Sequence, residues 1–278
     1  MGETYLSPLT AADGDNIAVQ DWPLEPGMPQ RGTIIIVHGL GEHAGRYTQV
    51  AANLNSWGYA VRSYDQVGHG DSGGARGSLP HAMRMLDDLA DVVDNTRRMM
   101  AAQERLILLG HSMGGVVAGQ FVLRRLRRVE GLILSSPALQ ADLNPLQKLL
   151  MAIVPRWFPD VTVGNGLKLA GLCRDPAVVA AYQKDPLVHD RICARLAQWI
   201  GTQGASLIAA APQWPTPTLL VYAGADTLVN PAGSRAFAMN APSKMLQAQC
   251  FGAMYHEILN DPQRDLVLAV MKQWLGKN

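Results

Sequence analysis

Gly110-His111-Ser112-Met113-Gly114 is a serine bracketed by glycines two residues before and two after. Leu106 to Leu109 ahead of it is a short apolar run that reads as a buried strand. Gly115 to Gln120 behind it can open a helix. This strand, tight turn and helix describe a nucleophile elbow. The turn forces Ser112 into a strained backbone conformation. Side chains at 110 and 114 would strike the neighbouring strand and helix, and glycine removes that collision. The hydroxyl is then held at the positive end of a helix, where an oxyanion can be stabilised.

A serine hydroxyl is a poor nucleophile near neutral pH. It needs a base within hydrogen-bond reach, and the base needs an acidic orienting group. For an elbow serine the expected chain order is Ser, then Asp or Glu, then His. Only His189 and His256 follow Ser112. His189, between Val188 and Asp190, falls in a stretch without strand–helix alternation and reads as a surface or packing residue. His256 lies in the loop Gly252 to Glu257, after the last strand and before the last helix. The acids between Ser112 and His256 are Glu130, Asp142, Asp160, Asp175, Asp185, Asp190 and Asp226. Five of them fall in the irregular stretch, and Glu130 precedes a strand. Asp226 alone follows a strand directly, so Ser112, Asp226 and His256 are the candidate catalytic set. The alternative for Asp226 is a turn-forming or helix-capping aspartate ahead of Pro231. Two backbone N–H donors should complete the site: Met113, after the nucleophile, and Leu40, between Gly39 and Gly41 after an earlier strand.

The elements that must carry these residues alternate. Thr33 to Val37 is a continuous β-branched run, as a strand buried on both faces requires. Tyr59 to Tyr64, Leu106 to Leu109, Gly131 to Ser135, Thr218 to Ala223 and Met245 to Phe251 read as further strands. Helices are expected near 46–57, 81–103, 232–239 and 261–275. Asn16 to Trp22 reads as part of an antiparallel edge. Strands alternating with helices mean a mainly parallel sheet. From 138 to 212 the alternation stops. Helices at Leu146 to Val154 and Val188 to Ile200 are expected there, so the chain divides into core residues 1–137, an inserted helical cap at 138–212 and core residues 213–278.

Four groups of residues together carry a resemblance. They are His38-Gly-Leu-Gly-Glu-His43 with Arg46 and Tyr47, Asp65 to Ser72, Gly110 to Gly115, and Tyr255-His256-Glu257. They resemble the monoacylglycerol lipase and lysophospholipase branch of the α/β-hydrolases, over nearly all of the core and weakly in the cap. The resemblance implies an α/β-hydrolase fold and a serine hydrolase of lipid-like carboxylic esters, monoacylglycerol foremost. Residue by residue it implies Ser112 as nucleophile, Asp226 and His256 as its partners, and Leu40 and Met113 as oxyanion donors. Gly39, Glu42 and Arg46 would lie near the polar head of the substrate. Glu42 and Arg46 could equally be a salt bridge that holds the oxyanion loop. Asp65 to Ser72 matches a structural turn, which leaves His69 and Ser72 without a catalytic part.

Composition narrows the rest. The chain has 278 residues, 48% of them hydrophobic, enough for one sizeable core. A net charge of +1 gives no reason to expect a nucleic acid partner. Three cysteines without a C-x-x-C pair fit a reducing compartment. The first residues lack a basic and an apolar region of signal-peptide type, and no apolar run spans a bilayer, so the expected place is the cytoplasm. No His, Cys or Asp cluster has metal-ligand spacing, and the glycine-rich turn at 68–74 lacks a phosphate-binding fingerprint, so neither metal nor cofactor is expected. Arg124, Arg125, Arg127 and Arg128 read as a solvated helix end. The apolar cap residues Leu146 to Val154, with Trp157 and Phe158, would line an acyl pocket or touch a membrane surface transiently. Thioesterase and general carboxylesterase activity would use the same residues. A non-catalytic binding protein on the same fold is the rival from another class.

Overall fold

In a computed structural model the residues described are 4–11, 13–141 and 153–277. Eight strands form one sheet: β1 Tyr5–Thr10, β2 Asn16–Trp22, β3 Gly32–Val37, β4 Tyr59–Tyr64, β5 Leu106–His111, β6 Gly131–Ser135, β9 Thr218–Ala223 and β10 Leu246–Phe251. Their spatial order is β1-β2-β4-β3-β5-β6-β9-β10. The first two pairings, β1 with β2 and β2 with β4, are antiparallel, and all the others are parallel. Parallel pairing brings the carboxyl ends of β3, β5, β9 and β10 to one edge, the rim where open α/β sheets bind ligands.

The alternation of side chains across a strand builds two core layers. Every residue of β3 is buried. Ile35 and Val37 face the layer filled by helices α2 (Arg84–Met99) and α3 (Met113–Leu123). Ile34 and Ile36 face the layer of α1 (Thr48–Ser56) and the final helix α7 (Arg264–Lys277). Helix α6 (Pro231–Asn240) lies between β9 and β10 in the chain and contributes Phe237 to the first layer.

Between β6 and β9 the architecture differs from the expectation. Residues 142–152 lie outside the described residues, and most of the helix expected at Leu146 to Val154 lies there with them. The helix expected at Val188 to Ile200 is replaced at its start by a strand. There, β8 (Arg191–Cys193) pairs antiparallel with β7 (Thr162–Gly164). Cys193 Sγ then caps α5, which runs Ala194–Ala210. Pairing with a strand some thirty residues away overrides the local apolar pattern. Another helix, α4 (Pro176–Lys184), was not expected, although Asp175-Pro176 is a start signal: Asp175 Oδ1 accepts the Ala177 N–H at 2.9 Å. Helix α2 is shorter at both ends than the 81–103 expected. Leu196, Trp199 and Leu207 of α5 belong to the same buried layer as Ile35, so this segment shares the core of the sheet. Among the described residues no helix is long and apolar enough to cross a membrane.

Candidate active site

Ser112 sits between β5 and α3 with φ 52° and ψ −118°, a left-handed conformation rare for a residue with a side chain. The turn is pinned from both sides. The Ser112 N–H donates to Ser135 O at 3.0 Å, and its carbonyl accepts from Gly115 and Ala138, each at 3.0 Å. The flanking glycines are there for space. A Cβ at Gly110 would lie 2.7 Å from Gly115 Cα, and one at Gly114 would overlap the carbonyls of Val37 and His38. Ser112 is therefore held in place by its neighbours rather than by a preference of its own.

Asp226 follows β9 and His256 follows β10. His256 Nδ1 lies 2.6 Å from Asp226 Oδ2, and both side chains are nearly sealed from solvent. The other Asp226 oxygen accepts the Leu228 and Val229 N–H groups, at 2.9 and 3.0 Å. Burial alone would raise the Asp226 pKa. His256 and those N–H donors outweigh it and hold the carboxyl below its usual range. Burial alone would lower the His256 pKa. The Asp226 charge and hydrogen bond outweigh it and hold the imidazole above its usual value. With Nδ1–H given to Asp226, Nε2 is left as the acceptor.

The remaining acids stand elsewhere. Glu130 accepts the Leu106 N–H at 2.7 Å, at the amino end of β5. Asp160 and Asp190 are exposed, Asp175 caps α4, and Asp142 lies outside the described residues. Asp185 pairs with His43. Ser72 accepts the Ala18 N–H and donates to Asp65 O, holding the 65–74 turn together.

Ser112 and His256 open onto one cavity of about 230 Å³, which Gly39, Leu40, Glu42 and Met113 also line. Most of its remaining wall is aliphatic, from Leu167, Leu172, Ile192, Ile200 and Val229 among others. A Cβ on Gly39 would stand 3.2 Å from Ser112 Cβ, so the Leu40 loop abuts Ser112. Met113 is the first residue of α3, where the N–H has no partner within the helix.

Arg46 does not line the cavity. Its guanidinium binds Glu42 at 2.6 Å and both oxygens of Glu257, at 2.6 and 2.8 Å. It thereby joins the loop at 38–43 to the loop of His256. The Tyr182 ring of α4 lies beneath it, 4.7 Å from its central carbon. Glu42 also accepts the Gly39 N–H at 2.6 Å and the Tyr47 hydroxyl at 2.7 Å. Burial alone would raise the Glu42 pKa, but Arg46 leads the charges that bring it down to about 2. This is the salt-bridge arrangement that the sequence left open.

Three contributors had no assigned role in the sequence. His111 lies against His256 in a tilted contact, ring centroids 4.8 Å apart. Burial, with His256 beside it, lowers its pKa to about 4, so it adds no charge at neutral pH. Glu257 could have been found as the acid following His256. Tyr182 carries no local signal, because its contact with Arg46 spans about half of the chain. Among the described residues no group of His, Cys, Asp and Glu could hold a metal ion.

A family model described as serine aminopeptidase, S33, matches residues 28–263. The chain belongs to this family. Its relatives include a monoacylglycerol lipase of Mycolicibacterium smegmatis, 32% identical over 90% of each chain. An abhydrolase domain-containing protein of Dictyostelium discoideum is 30% identical over 97% of this chain, which spans only 29% of that protein's length. The crystal structure of a monoacylglycerol lipase from Paleococcus ferrophilus superimposes with a TM-score of 0.80, at 30% identity and 98% coverage of both chains. The fold is that of the α/β-hydrolases, and the chain is an ester hydrolase of this family.

Proposed function

We propose that the chain cleaves carboxylic esters of lipid-like substrates, monoacylglycerol to fatty acid and glycerol foremost, through an acyl-enzyme on Ser112. The observation that carries this reading is the opening of Ser112 and the Asp226-bound His256 onto one largely aliphatic cavity. His256 Nε2 takes the proton as Ser112 Oγ attacks the ester carbonyl. The carbonyl oxygen becomes an oxyanion and accepts from the Leu40 and Met113 N–H groups, each donor being worth roughly 3 kcal/mol in such a transition state. The C–O bond breaks, and the alcohol leaves with the proton from His256. Water then repeats the two steps on the acyl-enzyme. Asp226 keeps Nδ1–H fixed throughout.

The family description names aminopeptidases, which must bind a free α-ammonium. The two carboxylates that line the cavity, Glu42 and Glu257, are both committed to Arg46, which favours an uncharged ester. Residues 138–212 are read as the cap, whose Leu167, Leu172, Ile192 and Ile200 supply much of the aliphatic wall. Trp157 and Phe158, 74% and 62% exposed, give the cap transient contact with the lipid surface that holds the substrate. Three unpaired cysteines, Cys173, Cys193 and Cys250, accord with the cytoplasm.

Turnover of monoacylglycerols, nitrophenyl esters and acyl-CoA by the wild type and Ser112→Ala tests the reading. A chain-length optimum among glycerol esters, abolished by the substitution, is the expected result. Faster turnover of acyl-CoA would favour a thioesterase. Failure of a fluorophosphonate to label Ser112 in folded protein would favour a binding protein.

A further inference from the structure

The oxyanion loop, His38 to His43, contains Gly39 and Gly41 and so has little stiffness of its own. A transition-state donor must be held to about 0.5 Å. The inner end of the loop is tied to the core. Gln66 N–H donates to His38 Nε2 at 2.9 Å, and the Gln66 side-chain amide donates to the His38 carbonyl at 2.7 Å. The outer end is tied to the segment after α4. Gly41, at φ +77°, accepts the His189 N–H at 2.9 Å, and a side chain there would collide with the His189 carbonyl. His43 Nε2 lies 2.8 Å from Asp185 Oδ2. Because His43 Nδ1 accepts the Gly45 N–H at 3.2 Å, the ring proton is on Nε2 and is donated to Asp185. The second Asp185 oxygen accepts the Leu187 N–H at 2.9 Å and fixes the turn leading to His189. The His189 ring then rests on His69, centroids 4.7 Å apart.

We propose that residues 182–189 set the Leu40 donor from outside the core, with Asp185 as the positioning residue that joins His43 to the turn carrying His189. This rests on the ester-hydrolase reading above and extends it to a residue that does not line the cavity at Ser112. Binding of the acyl chain does not involve Asp185, whereas the geometry of the oxyanion donor does.

The test is steady-state kinetics on a short nitrophenyl ester with wild type, Asp185→Ala, His43→Ala and the double variant. Thermal unfolding is measured alongside. Each single variant is expected to lose about tenfold in kcat, with KM within about twofold, and the unfolding midpoint falls more for His43→Ala, whose ring is buried, than for Asp185→Ala. The double variant should be no slower than the slower single, because both remove one linkage. Asp185→Asn should fall between wild type and Asp185→Ala, since one carbonyl oxygen serves His43 or Leu187 but not both. A kcat for Asp185→Ala within about twofold of wild type overturns the proposal, as does a loss confined to KM or independent losses in the double variant. If Asp185→Ala does not fold, His43→Phe keeps the ring volume without its nitrogens, and an unchanged kcat there overturns the proposal equally. Failure of this kind leaves wild-type esterase activity intact. Failure of the functional reading instead appears as activity that survives Ser112→Ala.

Discussion

The carboxyl edge of the sheet and the segment over it are built in opposite ways. Every residue of β3, β5 and β9 is buried, and the residues that follow these strands are held by hydrogen bonds to their own or adjacent loops. The overlying segment is anchored in the core by α5, but its other half is not: β7 is wholly exposed, and Tyr182 is the sole buried residue of α4. Yet those few inward contacts fall on the machinery: Tyr182 on Arg46, Asp185 on His43, and His189 on Gly41. A rigid edge fixes the candidate residues by packing, while the lightly anchored half of the cover touches them through a small number of polar contacts.

Substitutions on the two sides should separate accordingly. Ser112→Ala is the largest expected effect, a loss of roughly 10⁶ in kcat, read by ester turnover against enzyme concentration. Asp226→Asn should leave the fold intact and lower kcat by about 10⁴, by allowing the wrong imidazole tautomer. Ile35→Ala, in the sheet's fully buried layer, should cost about 2–5 kcal/mol in chemical denaturation. Next comes pH. As the proposed base His256 must be neutral to accept the proton, and against its burial the charge and hydrogen bond of Asp226 hold its pKa above the usual imidazole value. The ratio kcat/KM should therefore fall about tenfold per unit as pH drops below a midpoint above 6.5. A midpoint below 6.5 would contradict the Asp226–His256 coupling. Trp157→Ala should be the smallest effect, within about 0.5 kcal/mol in stability, since its ring is 74% exposed. A loss as large as that of Ile35→Ala would erase the contrast between edge and cover.

The same contrast explains what could be read in advance. Strand runs such as Thr33 to Val37 are legible because burial on both faces imposes a local composition. The stretch between β6 and β9 was not, because among its described residues β7 and most of α4 are exposed or half-exposed and its two short strands exist only through pairing between residues 162–164 and 191–193. A three-residue strand leaves no periodicity to detect.

The order of residues by itself determined the candidates. A serine between two glycines after an apolar run, an aspartate after one strand and a histidine after the next are local consequences of sterics and strand direction. The tertiary structure decided their surroundings. It made Arg46 a bridge to Glu257, 211 positions away, placed a neutral His111 against His256, and brought Asp185 to His43 across 142 positions. These outcomes depend on burial and through-space charge. Both are set by distances between residues remote in the chain, which no local pattern encodes.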